Sequence, residues 1–196
     1  HEPTFFYSVE RPLLDKIIVP TTWREIGIGI NGLLSSSNLK YQLYLVNNPI
    51  SYNGQATING SSGFRGGRQK GVKSLVSTLP GISGQIEYFG LDGFKLGLSF
   101  YHGKTNTSLA SDYPVITEES SQIIDSSTVK VSMVALHSTF NKNQFTARLQ
   151  YVLGAYGGTQ AYNEFTGSDV PELMHGMYIL FAYDFLKSHF QLERSF

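Results

Sequence analysis

The chain has 196 residues, only 15% of them charged, with fifteen Lys and Arg balancing fifteen Asp and Glu. That balance offers nothing to a nucleic-acid backbone, and the absence of cysteine excludes disulfides and thiolate metal sites. No apolar run approaches the length of a membrane-crossing helix, and the mean hydropathy is -0.12. A protein that crosses with strands passes this filter, because only alternate residues meet lipid.

Residues 1–24 show no clean period and contain Pro3, Pro12 and Pro20, so they read as a loop. The first predicted hairpin is 25–46. Ile26, Ile28 and Ile30 share one face of its first strand, and Leu39, Tyr41, Leu43 and Leu45 share one face of its second. The turn Ser35-Ser36-Ser37-Asn38 pairs Leu34 with Leu39 and Ile30 with Leu43, which aligns the two apolar faces.

A long loop rich in Gly, Ser and Asn follows over 47–81. The hairpin 82–103 is the clearest of the series. Ile82, Ile86 and Tyr88 alternate with Ser83, Gln85 and Glu87, and Phe94, Leu96, Leu98 and Phe100 alternate with Lys95, Ser99 and Tyr101. Its turn Leu91-Asp92-Gly93 predicts pairs Tyr88 with Leu96 and Ile86 with Leu98.

A second long loop covers 104–128, and a third hairpin covers 129–156. Here Val129, Val131, Met133 and Ala135 are assigned to one face, with Phe145, Ala147, Leu149, Tyr151 and Leu153 on the partner strand. The turn is placed at Asn141-Lys142-Asn143. A third long loop covers 157–176, and the last hairpin, 177–196, opens with Met177, Ile179, Phe181, Tyr183 and Phe185. An eighth strand beginning at Phe190 and Leu192 would carry Arg194 onto its apolar face. No segment shows a useful 3.6-residue period, so helix is not expected.

Short turns alternating with long loops on opposite sides are the design of an outer-membrane barrel. The expected fold is all-β, an antiparallel up-and-down transmembrane β-barrel forming one domain. Because the series starts in a loop and stops within a strand, the chain is expected to be part of a larger barrel. Tyr88, Phe94, Phe145, Phe185 and Phe190 all adjoin short turns, as an aromatic girdle at the periplasmic interface requires.

The cations form two groups. Arg65, Arg68, Lys70 and Lys73 lie in a Gly-rich loop without an acid among them. Val72 separates the last Gly from Lys73 and no helix pattern follows, so this is not a phosphate-cradling loop of the nucleotide-binding kind. It reads as an ordinary solvated loop or as an anion-attracting loop at a pore mouth. Lys40, Lys95, Lys130 and Arg148 are assigned to the polar, inward side of the strands, together with Glu25, Glu87 and Asp184. Arg148 is nearest mid-strand. The acids Asp112, Glu118, Glu119 and Asp125 gather in the second long loop, where they could hold a divalent cation against lipopolysaccharide. Five dispersed histidines lack ligand spacing, and no Ser/His/Asp arrangement is legible, so neither a cofactor nor an enzyme activity is expected.

At His1-Glu2-Pro3, Val9-Glu10-Arg11-Pro12 and Ile18-Val19-Pro20-Thr21-Thr22-Trp23-Arg24-Glu25-Ile26-Gly27 the chain resembles the phosphate-selective porin family (porins O and P) of Gram-negative bacteria. The basic loop from Phe64 to Gly71, the hairpin around Gly84-Gln85-Ile86-Glu87-Tyr88 and the end from Phe190 to Phe196 are similar to the family's general pattern. The resemblance implies a bacterial outer-membrane barrel of about sixteen strands, usually trimeric. It also implies outer-membrane lipids and lipopolysaccharide as surroundings, and passive diffusion of small solutes through a channel narrowed by inward loops. In the characterised members, ladders of Arg and a cluster of Lys select phosphate. Here Arg148 is the lone inward Arg on a strand and three acids share the lining, so that selectivity is not carried over. Anions remain among the candidate solutes. The competing expectation is a non-conducting barrel that acts as scaffold or binding component of an envelope complex.

Overall fold

The computed structural model describes residues 14–18, 25–69, 79–113, 115 and 117–185, and every statement below concerns these. The strands follow in chain order: β1 (Gly27–Leu34), β2 (Leu39–Val46), β3 (Ile50–Tyr52), β4 (Gly81–Leu91), β5 (Phe94–Lys104), β6 (Asn106–Thr107), β7 (Lys130–Lys142), β8 (Phe145–Gly157) and β9 (Leu173–Tyr183). Seven of them make one antiparallel sheet in the order β1-β2-β4-β5-β7-β8-β9, each beside its neighbour in sequence. The fold is therefore all-β and up-and-down. The sheet is open, with β1 and β9 as its edges, and is not closed into a barrel. The expected eighth strand, with Phe190, Leu192 and Arg194, lies outside the described residues.

Pairing follows the expected registers in the first two hairpins. Leu34 opposes Leu39 and Ile30 opposes Leu43; Tyr88 opposes Leu96 and Ile86 opposes Leu98. The first turn is a single 3-10 turn, Ser35–Ser37, closed by Asn38 at φ 50°. In the second, Leu91 and Phe94 pair directly across Asp92-Gly93, and an irregularity between Tyr88 and Leu91 takes up the extra residue. Gly93 has φ 73°, the left-handed conformation for which glycine is the ordinary residue.

The third hairpin corrects the sequence reading. Lys142 pairs with Phe145, so the turn is the two-residue Asn143-Gln144, with Asn143 at φ 58°. One residue of slip reverses every side chain of a strand. The outward set on β7 is thus Val134, Leu136, Ser138 and Phe140, opposite Leu153, Tyr151, Leu149 and Ala147. Val131, Met133 and Ala135 face the other way. Lys130 moves with this phase: it opposes Lys104 on the outward face and does not line the polar side as expected. Two apolar sets run along β7, and the sequence cannot say which of them meets a core.

That core sits on the inward face at the long-loop end. Val129, Val131, Met133 and Tyr156 pack with Ile58, Phe64, Tyr162 and Val170, contributed by the first and third long loops. A smaller group joins Leu14 and Ile18 at the N-terminal α1 (Leu14–Ile17) to Val152. The loops also hold helices that the sequence reading did not expect: α2 (Leu109–Asp112), α3 (Glu118–Ser126) and α4 (Thr159–Thr166). α3 is started by a local device, a capping box in which Thr117 and Ser120 satisfy each other's backbone N–H. Such short helices carry too few turns to show a clear period in the sequence.

Phe64 is 1% exposed in this core, whereas Phe181 on the outward face is 69% exposed. Phe64→Ala is expected to lower unfolding stability by about 3–5 kcal/mol. Phe181→Ala should change it far less; urea melts of the two variants check the face assignment.

Candidate functional site

One face of the sheet is apolar and uncovered among the described residues. This outward face carries Ile28 at 76% exposure, with Ile30, Leu43, Ile86, Leu98, Val134, Leu153, Met177 and Ile179 also exposed across all seven strands. At the short-turn end this face becomes aromatic. Phe94 opposes Phe140, the Phe140 and Phe145 ring centres lie 6.1 Å apart, and Phe145 stacks on Phe181 at 6.0 Å. Phe190, expected in the same girdle, lies outside the described residues. At the long-loop end the outward face turns polar: the His102 imidazole Nδ1 lies 2.9 Å from the Ser132 hydroxyl, and Lys104 pairs with Asp125 at 2.6 Å.

The inward face is divided. Its long-loop half lies beneath the folded loops, locked by buried hydroxyls. Ser51 donates to the Ser127 carbonyl at 2.7 Å, Thr105 donates to Ser51 Oγ at 2.7 Å, and the Val129 N–H donates to Thr105 at 2.8 Å. The Tyr162 phenol donates to the Ser51 carbonyl at 2.7 Å. This network ties all three loops to one strand end. Burial raises the Tyr162 phenol above its ordinary 10.0. The contribution of the neutral phenol to loop stability is therefore complete below about pH 10 and is lost at higher pH.

The short-turn half presents the polar side chains. Ladder pairing sets Lys40, Glu87, Gly97, His137, Gln150 and Tyr178 side by side across six strands. The His137 ring lies across Gly97: a Cβ there would collide with the imidazole. His137 Nε2 thereby comes within 3.3 Å of Gln85 Nε2 and 3.9 Å of Glu87 Oε2. The Tyr178 phenol donates to Gln150 Oε1 at 3.2 Å. A small cleft between Lys40, Gln42, Gln85 and Glu87 opens in the same row. One row nearer the short turns come Lys95, Thr139 and Arg148.

Lys40, Lys95 and Arg148 are thus on the inward face, with the row of Lys40 and Glu87 next to that of Lys95 and Arg148. Lys130 is not among them. Arg65 is exposed and Arg68 donates its Nε–H to the Arg65 carbonyl at 2.6 Å, while the neighbouring Phe64 anchors their loop in the core. Lys70 and Lys73 lie outside the described residues. Asp112 sits on α2, and Glu118, Glu119 and Asp125 on α3; among the described residues no three His, Asp or Glu side chains converge as a metal site requires. Sequence reasoning passed over His137. A Gly on the neighbouring strand at the position facing a histidine was the available signal.

One relative, described as an uncharacterized protein of Aquifex aeolicus (strain VF5), is 35% identical over 88 residues, which are 45% of this chain. The matched stretch spans 19% of that relative's length. No family model matches the chain, and no solved structure matches it.

Gly97→Val should push the imidazole off β5 and strain the row, lowering the urea midpoint by the equivalent of about 1–3 kcal/mol. Gly157→Ala is the control. A Cβ there meets nothing closer than 3.5 Å, and the midpoint should hardly move.

Proposed function

We propose that the chain is a wall segment of a bacterial outer-membrane barrel, a porin-like channel through which small solutes diffuse passively. The observation that carries this reading is the exposed outward face. A seven-stranded apolar surface without a covering layer is what a lipid-facing wall needs and what a soluble sheet avoids. Dimensions support it. β4, β5 and β9 have 11 residues each, and β7 and β8 have 13, against the roughly 9–11 that a tilted strand needs to cross a bilayer. The aromatic cluster at the short-turn end supports a periplasmic interface there, with the long loops outside. The relative's greater length agrees with a barrel closed by further strands. Membership of the phosphate-selective porin family, a trimeric assembly and lipopolysaccharide around the rim belong to the same proposal. Among possible solutes, anions are favoured because, among the described residues of the two rows nearest the short turns, Lys40 and Lys95 stand beside the single acid Glu87.

The folded loops favour a second reading. Phe64 and Tyr162 pack against the inward face itself, so a non-conducting barrel serving an envelope complex is the alternative.

Purified in detergent, the protein should migrate differently after boiling and give stepwise conductance in planar bilayers. Full solubility without detergent would sink the membrane reading. Tyr162→Phe removes the donor to the Ser51 carbonyl at a cost of about 1–3 kcal/mol. In a channel narrowed by these loops, conductance or open time should rise in that variant; silence in both proteins favours the scaffold.

A further inference from the structure

We infer that His137 is a specificity-determining residue of the channel, a proton-controlled charge that sets how strongly the lumen prefers anions. This rests on the channel reading above. His137 lies on the inward face of β7, 28% exposed at its side chain, with Glu87 at 25%, so both are reachable from the aqueous side yet partly shielded. Its ring crosses β5 through the space that Gly97 leaves, and meets Gln85 and Glu87 of β4. Gln150 is its ladder neighbour on β8, and Lys40 of β2 stands beyond Glu87. Lys95 on β5 and Arg148 on β8 lie one row nearer the short turns. Those are the charged groups that face it among the described residues, and α1 packs on the same face at Ala135 and Tyr178.

The charge count gives the sign. With a neutral imidazole, the row contains Lys40 against Glu87 and cancels. With an imidazolium, Glu87 is shared between two cations, and the row gains one positive charge next to Lys95 and Arg148. Imidazole is the side chain that ordinarily changes charge between pH 5 and pH 8. A ring of like charge at a narrow aqueous passage selects the opposite ion. Acidification should therefore increase the preference for anions, with no movement of the backbone.

The Gln85 contact makes the arrangement specific. Both contacts are made by Nε2: when protonated it pairs with Glu87 Oε2 across 3.9 Å, and the Gln85 side-chain amide can turn its oxygen or its nitrogen toward it. The same residues thus accommodate both protonation states.

The test is the reversal potential in a tenfold KCl gradient, measured at pH 5 and pH 8 in planar bilayers. The wild-type chloride-to-potassium permeability ratio should rise several-fold on going to pH 5. In His137→Gln the ratio should change little with pH, and in His137→Arg it should stay near the acid value at both. A full pH response in His137→Gln would overturn the inference. A second measurement does not need conductance: the His137 imidazole resonances of the detergent-refolded protein, followed with pH in wild type and in Glu87→Gln. If Glu87→Gln leaves that titration unchanged, the two groups are not coupled and the inference falls. If the titration changes but no current is ever seen, it is the channel reading that fails, and the selectivity role falls with it.

Discussion

Backbone pairing with a side-chain period of two is the constraint on which everything else in this protein depends. Once Leu34 faces Leu39 and Lys142 faces Phe145, every residue of the sheet is committed to one side or the other. Seven consecutive antiparallel strands carry that commitment across the whole wall. The result is one largely apolar surface and one surface divided between a core under the folded loops and a row of polar and charged side chains. Neither surface could exist in part, because a single-residue slip at any turn would interleave the two.

The same constraint explains why the core lies at one end. A wall that turns its large apolar residues outward has little left with which to bury its inner side. What remains on that side, Val131, Met133, Val152 and Tyr156, is concentrated where the long loops begin. The loops supply the missing half of the core through Ile58, Phe64, Tyr162 and Val170. Buried hydroxyls then satisfy the backbone groups that irregular loops would otherwise leave unpaired, as Ser51, Thr105 and Tyr162 do. The contacts that stabilise the loops are thus the same ones that cover this end of the sheet.

The polar half works by the opposite economy. Its side chains are neither buried nor fully solvated, and cross-strand neighbours limit what each can do. Glu87 stands between Lys40 on one side and the reach of His137 on the other. Gly97 contributes by having no side chain, since any larger residue would block the reach of the imidazole. A face built this way has its charges set by strand register, so its electrostatics are a property of the sheet and not of any one loop.

Much of this was legible in the sequence. Alternation and turn chemistry determined the seven strands of the main sheet, their up-and-down order, the registers of the first two hairpins and the side on which Lys40, Lys95 and Arg148 lie, because those features depend on residues close in the chain; the short parallel pair β3–β6, inside segments read as loops, was not among them. The face of β7 was not legible. Its odd and even positions are both apolar, and the choice was made by a two-residue turn together with a core supplied from residues as distant as Phe64 and Tyr162. The helices in the loops escaped for want of length, and the His137–Glu87 pair because its members lie fifty residues apart on strands that are not adjacent. Period and local turns are properties of a segment; which apolar face finds a partner, and which side chains meet across an intervening strand, are properties of the assembled sheet.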